Sequence, residues 1–288
     1  MRVASSPHEL GTGERTVALG TFDGVHLGHR RVIEAALAAG TQAAVVTFDP
    51  HPRTALGNRV ELISTLERRL ELIESLGVAE TLVLPFTPDL SLQTPEEFAR
   101  NVLEPMGARV VVAGADFRFG RGRSGDLALL AELGFDSRPV PLVEGVSSSE
   151  IRQLAGAGEV DRAAKLLGRP VEVEGTVVAG DARGGTLGFP TANLAVPSDL
   201  LVPAFGIYAG EALGMRTATS IGVNPHYGGE ERRVEAFLLD YEGDLYGRRL
   251  VVELWERLRE ERAFDSEADL IEQIGRDVEA ARAAVRPV

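Results

Sequence analysis

The chain has 288 residues, 44% of them hydrophobic, enough for one large domain or two ordinary ones with real cores. Its formal charge of -13 at pH 7 makes it a poor non-specific partner for nucleic acid or an anionic membrane. The absence of cysteine excludes disulfides, thiolate metal sites and a cysteine nucleophile. No apolar run is long enough to span a bilayer. The opening MRVASSPHEL lacks the apolar stretch of a secretory signal. The expectation is a cytoplasmic protein with no nucleic-acid and no membrane partner. Lys165 is the single lysine, so a phosphate loop of the form G-x-x-x-x-G-K-S/T is also excluded. Any ATP chemistry here takes another route.

In chain order, TVALG (16–20) reads as a short strand. A helix starts near Leu27 or Gly28 and runs to Gly40. AAVVTF (43–48) is a second strand. Ile63, Leu66, Leu70 and Ile73 recur at helical spacing up to Gly77. TLVLPF (81–86) is a third strand. Thr94-Pro95-Glu96-Glu97 is a helix start with a capping threonine, a proline and a box-closing glutamate, and Phe98, Val102 and Met106 give its apolar face. RVVVAG (109–114) is a fourth strand. Strands alternating with amphipathic helices predict an α/β domain with a doubly wound, mostly parallel, Rossmann-like sheet. Ligands of such sheets bind at the carboxyl ends of the strands, which places the 20–26 loop, FDPHP (48–52) and GADFRFGRG (114–122) on one rim.

From about Val171 the pattern changes. VEVEGTVVA (171–179), GIYAGEAL (206–213), RVEAFLLDY (233–241) and LVVELWERL (250–258) alternate or carry β-branched runs between turns. A closing helix begins near Ser266, where Ser266 and Asp269 make a capping box and Leu270, Ile271, Ile274 and Val278 form the expected buried stripe. The reading is an α/β domain over 1–168 and an antiparallel β-barrel with a terminal helix over 169–288.

GTFDGVHLGH (20–29) holds two of the five histidines, His26 and His29. A strand, a glycine-bearing turn and a helix N-terminus together make an anion site, because first-turn amides are unsatisfied and the dipole is positive there. Two imidazoles add donors for a polyphosphate. Gly28 lets backbone approach closely. Two alternatives stay open on spacing alone: a metal pair completed by Asp23 or His51, and two structural histidines.

Gly20 to His29 resembles the H-x-G-H signature of the nucleotidylyltransferase superfamily, in the form used by bacterial FAD synthetases. Ser147-Ser148-Ser149-Glu150-Ile151-Arg152 is similar to their second signature, S-S-S/T-x-I-R. In the second half, Leu187-Gly188-Phe189-Pro190-Thr191-Ala192-Asn193 looks like the riboflavin kinase signature G-F-P-T-A-N. Asn224-Pro225, Val234-Glu235, Asp244-Leu245-Tyr246-Gly247 and the run from Arg259 and Glu260 to Asp277 continue the match. The resemblance is to bifunctional bacterial riboflavin kinase/FAD synthetases over nearly the whole chain.

That resemblance implies riboflavin, FMN and ATP as small-molecule substrates and magnesium as cofactor, with no transition metal. It implies ATP binding by Gly20, Phe22, Asp23, Gly24, Gly28, Ser147, Ser148, Ser149 and Arg152 in the first half, with His26 and His29 stabilising the triphosphate. Asp116, Phe117 and Phe119 would lie near the flavin. In the second half it implies ATP binding by Gly180, Arg183, Gly188 and Pro190, magnesium on Thr191 and Asn193, Glu235 as general base, and flavin contacts at Arg259 and Glu260. Two positions depart from the pattern: Gly185 where an arginine or similar residue is usual, and His226-Tyr227 where threonine-phenylalanine is usual.

Overall fold

The structure, a computed structural model, describes residues 1–180, 189–223 and 232–288. It divides into two compact units, Met1–Ser147 and Ser148–Val288.

The first unit contains β1 (Arg2–Ala4), β2 (Arg15–Leu19), α1 (Leu27–Leu37), β3 (Gln42–Asp49), α2 (Pro52–Ala55) and α3 (Leu66–Ser75). It continues with β4 (Glu80–Pro85), α4 (Pro88–Leu92), α5 (Pro95–Phe98), β5 (Ala108–Gly114), α6 (Leu127–Glu132) and β6 (Asp136–Val140). Its six strands form a sheet in the order β1-β4-β3-β2-β5-β6, and every pairing is parallel. Alternate residues of each strand feed two layers of core. Val17, Leu19, Ala44, Val46 and Val111 face one layer; Ala18, Val45, Val110 and Val112 face the other. Burial on both faces is why these strands read as continuous apolar runs. Thr94 forms the expected capping box with Glu97, and a single π-type turn at Ala99–Leu103 extends α5 toward Met106. The edge strands β1 and β6 were not expected. β6 is DSRPV, polar and mostly exposed, and carries no apolar period.

The chain order of the strands matters for function. From β2 it steps to β3 and β4 on one side, then returns to β5 and β6 on the other. The carboxyl ends of β2 and β5 therefore flank the switch point, where open α/β sheets hold ligands.

The second unit opens with α7 (Ser148–Gly156) and α8 (Val160–Leu167), and α8 lies against β7 and β12. Both helices thus group with the barrel, whereas the sequence reading put them before its 168/169 boundary. Strands β7 (Val171–Val178), β8 (Ala192–Ala195), β9 (Gly206–Ala212), β10 (Met215–Val223), β11 (Arg232–Leu238) and β12 (Arg249–Arg259) close into a barrel of order β10-β11-β8-β7-β12-β9. All its pairings are antiparallel. Val173, Leu194, Val234, Ala236, Leu250 and Val252 are buried on the core face. β10 escaped the sequence reading because its buried residues include Thr217 and Thr219, which bond to each other at 3.3 Å and hide the apolar alternation.

The terminal helix α9 (Glu267–Ala283) is capped by Ser266, whose hydroxyl accepts from the Asp269 amide. Its expected stripe is corrected. Leu270, Ile274 and Val278 are only half-buried and Ile271 is 38% exposed. The buried positions are Asp277 and Ala281. Ala281 and the following Ala284 pack with Ala209 and Trp255, while the Asp277 carboxylate binds the Arg259 guanidinium through Nε and Nη2 at 2.7–3.0 Å. A polar anchor and two small contacts replace the large-residue stripe.

Candidate functional site

In the first unit the 20–29 loop leaves β2 at the switch point. Phe22 takes a φ of 54° and is buried, with its ring beside Gly20, where a Cβ would come within 3.0 Å of it. Asp23 is 1% exposed, and its carboxylate accepts from the Ile63 and Ser64 amides at 3.0–3.2 Å. The Ser64 hydroxyl in turn accepts from the Gly24 amide at 3.0 Å. Thr47 on β3 donates its hydroxyl to the Thr21 carbonyl at 2.7 Å. The loop is thus tied to two neighbouring segments before it reaches the helix. Beneath it lies fully buried Arg69, which donates to the Phe48 carbonyl at 3.0 Å. Burial lowers the Arg69 pKa, opposed by the charges of Asp23 and Asp49.

His26 caps α1: its Nδ1 accepts from the His29 amide at 3.2 Å. A nitrogen that accepts cannot carry the proton, so in the neutral ring the proton sits on Nε2, which becomes a donor. The His26 and His29 rings stack at 3.6 Å with 15° between their planes, and Phe22 meets His29 edge-on at 5.3 Å. Gly28 permits this packing, because a Cβ there would stand 3.1–3.2 Å from two His26 ring atoms. The ring pair therefore stands at the N-terminus of α1, together with the helix amides. His51, the other candidate metal ligand, caps α2 in the same way, accepting from the Arg53 amide at 3.2 Å. Among the described residues no three histidine, aspartate or glutamate side chains gather as a metal site.

At the carboxyl end of β5, Asp116 is exposed, Phe117 is half-buried, and Phe119 is a core residue packed on Phe98. Phe117 stacks on Phe119 at 5.9 Å. Of the three residues expected near a flavin, Asp116 and Phe117 keep surface to offer at the rim, and Phe119 supports them from below. Ser147 ends the first unit; Ser148 and Ser149 open α7 in the second, with Arg152 one turn on and Ile151 fully buried.

The second unit gathers its own site by strand register. Glu235 on β11 pairs with Asn193 on β8 and with Ser220 on β10; Ser220 pairs with Ile207 on β9, and Ile207 with Arg259 on β12. One residue from each of five adjacent strands thus forms a row on the face opposite the core. Directly paired residues in an antiparallel ladder have Cβ atoms roughly 5 Å apart on the same face. Thr191 lies two residues before Asn193 and shares its side by the same alternation. Phe189 packs edge-on against Phe237 at 5.6 Å, pinning the turn to the strand that carries Glu235. Gly180 lies against the Asn193 amide: a Cβ there would come within 2.3–2.6 Å of it. Arg233 donates to Glu235 at 3.3 Å.

Beside this row a cleft is lined by Pro190, Thr191, Tyr241, Gly243, Asp244, Leu245 and Tyr246, among others. The Asp244 carboxylate accepts from the Tyr246 amide at 2.8 Å and sets that turn. Tyr241 joins this cleft from outside any motif in the sequence, whereas Asp244 and Tyr246 belong to the D-L-Y-G stretch. Arg259 is held by Asp277 and its cation stands 5.7 Å from the Phe264 ring. The Glu260 side chain is 85% exposed and points to Arg257. Arg183, Gly188 and the departures at Gly185 and His226-Tyr227 lie outside the described residues.

Comparison with known proteins gives a match to each half of the chain. A family model for FAD synthetase matches residues 10–150, and one for riboflavin kinase matches 167–285. A bifunctional riboflavin kinase/FMN adenylyltransferase from Listeria monocytogenes is 37% identical, with 96% of each chain covered. Its counterpart in Bacillus subtilis is 34% identical over 96% of this chain and 95% of its own. That of Escherichia coli K12 is 34% identical over 92% and 91%. A crystal structure from Streptococcus pneumoniae, described as a macrolide-efflux protein, superposes with a TM-score of 0.88 at 33% identity, covering 98% of this chain and 99% of that one. No helix among the described residues is long and apolar enough to cross a membrane. On identity and coverage together, the chain belongs to the family of bifunctional riboflavin kinase/FMN adenylyltransferases.

Proposed function

We propose that the barrel transfers the γ-phosphoryl group of ATP to riboflavin, giving FMN, and that the α/β unit then joins FMN to the adenylyl group of a second ATP, giving FAD and pyrophosphate. The observation that carries the first half is the pairing of Glu235 with Asn193 across β11 and β8. It puts a carboxylate next to an amide oxygen on one face, with the Thr191 hydroxyl two residues away.

Thr191 and Asn193 fit magnesium, which prefers oxygen ligands, and the cradle at Gly180 leaves the Asn193 amide room. When bound, magnesium would neutralise charge on the phosphates. Glu235 accepts the proton of the riboflavin 5′-hydroxyl as that oxygen attacks the γ-phosphorus and ADP leaves. The Arg233 contact holds the carboxylate in place. The cleft at Pro190, Tyr241 and Asp244 supplies apolar walls and hydrogen-bonding groups for a nucleotide.

In the α/β unit, the FMN phosphate attacks the α-phosphorus of ATP and pyrophosphate departs. The chemistry asks for donors aimed at phosphate oxygens. The N-terminus of α1 and the His26 Nε2–H supply them, with His29 stacked alongside. Asp23 serves this site by fixing the loop. Asp116 and Phe117 are assigned to the flavin side. Ser147, Ser148, Ser149 and Arg152 are assigned to the distal phosphates on the strength of the resemblance alone. The protein is assigned to the cytoplasm.

The test is to incubate the purified protein with riboflavin, ATP and magnesium, and resolve the flavins by chromatography. FMN appearing first and FAD later, both abolished by EDTA, is the expected result. FAD formed only when FMN is supplied would remove the kinase half.

A further inference from the structure

Beyond the row already described, one carboxylate has no assigned task. Glu261 lies two residues past the end of β12. Its carboxylate end rests on Gly222 of β10, where a Cβ would come within 2.0 Å of Oε1 and 2.6 Å of Oε2. Gly222 pairs with Arg233, and two residues back Ser220 pairs with Glu235. By strand alternation Gly222, Ser220, Arg233 and Glu235 share one face, so the Glu261 carboxylate is laid onto the face that carries Glu235. Gly222 is buried although it sits at an outward position, which fits its being covered by that side chain.

The placement is directional. Along the row, Asn193 stands on one side of Glu235 and β10 on the other. If the phosphates approach from the Asn193 side, the body of the acceptor lies on the β10 side, where Glu261 is. The acceptor is uncharged there and carries hydroxyls next to the one that reacts. A carboxylate is an acceptor-only group with several lone pairs, suited to hydroxyl donors.

We propose that Glu261 is a specificity-determining residue of the kinase site, accepting hydrogen bonds from the polyol chain of riboflavin. This inference rests on the kinase reading above. Partial burial raises the Glu261 pKa, the Arg259 charge opposes that, and the Glu235 charge adds to it. Arg259 is itself bound to Asp277. Both glutamates are exposed, but Glu260 is directed to Arg257 whereas the Glu261 carboxylate lies on Gly222, which makes Glu261 the carboxylate on this face.

The test uses the full-length protein and two substitutions. Glu261→Gln keeps shape and removes charge. Gly222→Ala adds a methyl where the carboxylate lies and displaces it without touching Glu261 itself. Riboflavin and lumiflavin, which lacks the hydroxylated chain, are titrated against each protein by flavin fluorescence, and kinase rates are measured in parallel. Losing a charge-assisted hydrogen bond should weaken riboflavin binding roughly tenfold or more in both variants, with lumiflavin binding and the KM for ATP unchanged. A merely structural role would weaken both flavins equally and move the KM for ATP, and that result overturns the proposal. So does unchanged riboflavin binding in Glu261→Gln. An unsubstituted protein that makes no FMN would instead remove the kinase reading itself.

Discussion

Gly28 is where the smallest side chain has the clearest consequence. A Cβ at this position meets the His26 ring at 3.1–3.2 Å, which the ring can relieve only by shifting a few tenths of an ångström. Alanine favours helices over glycine by about 1 kcal/mol, so Gly28→Ala should leave the fold as stable or slightly more so. Loss of a positioned donor to a reacting phosphate is worth far more to the rate than to stability. The expected outcome is a drop in FMN adenylylation of roughly tenfold or more with kinase rates untouched, read by assaying each step separately. Tyr208 offers a test of a different kind. It is fully buried, donates to the Ala204 carbonyl at 2.6 Å, and burial lifts its pKa from 10.0 to about 12, with Arg257 pulling the other way. The unfolded chain ionises this phenol first. The stability linked to its titration is therefore intact below pH 10 and is lost as pH rises toward about 12. Denaturant unfolding at a series of pH values should show that decline, and Tyr208→Phe should flatten it. His26 was legible as a residue at a helix start, but its capping bond, and with it the tautomer, was not, because spacing does not say which nitrogen a ring turns toward the backbone.

Elements were legible to the extent that one pattern dominated them. The four inner strands of the sheet are apolar on both faces and the capped helices announce their own starts, so both were readable. α9 was not, because its docking rests on Asp277 and small alanines rather than on the large residues of its periodic stripe. A hydrophobic count gives weight to Ile271 and none to Asp277, yet the first is exposed and the second is 6% exposed. Asp277→Ala leaves Arg259, itself only 19% exposed, without the carboxylate that binds it. Removing one partner of a largely buried ion pair costs about 3 kcal/mol, somewhat less where water reaches in. The variant should unfold at lower denaturant, while Ile271→Ala should change stability by well under about 1 kcal/mol. A larger effect at Ile271 than at Asp277 would contradict this packing. The same limit explains β10: its inward threonines look like a loop until its two neighbouring strands, β9 and β11, fix its register.

At the scale of the molecule, two units match two family models whose activities are consecutive, riboflavin kinase and FAD synthetase. Each proposed site rests on its own device: a helix N-terminus at a sheet's switch point in one, a row across five barrel strands in the other. Both candidates were nameable from the sequence, since the G-F-P-T-A-N and H-x-G-H stretches are local. The row itself was not legible, because Asn193, Ser220 and Glu235 meet only through the pairing of β8, β11 and β10, and Glu261 lies in no local motif that points to Gly222. The central claim is that the two activities reside in separate sites of one chain. It is tested by comparing His29→Ala and Glu235→Gln, each supplied with riboflavin or with FMN, ATP and magnesium. The account predicts that His29→Ala makes FMN and stops there, losing FAD formation by at least about a hundredfold, while Glu235→Gln makes FAD only from supplied FMN. Loss of both products in either variant, with its unfolding transition unchanged, would contradict it.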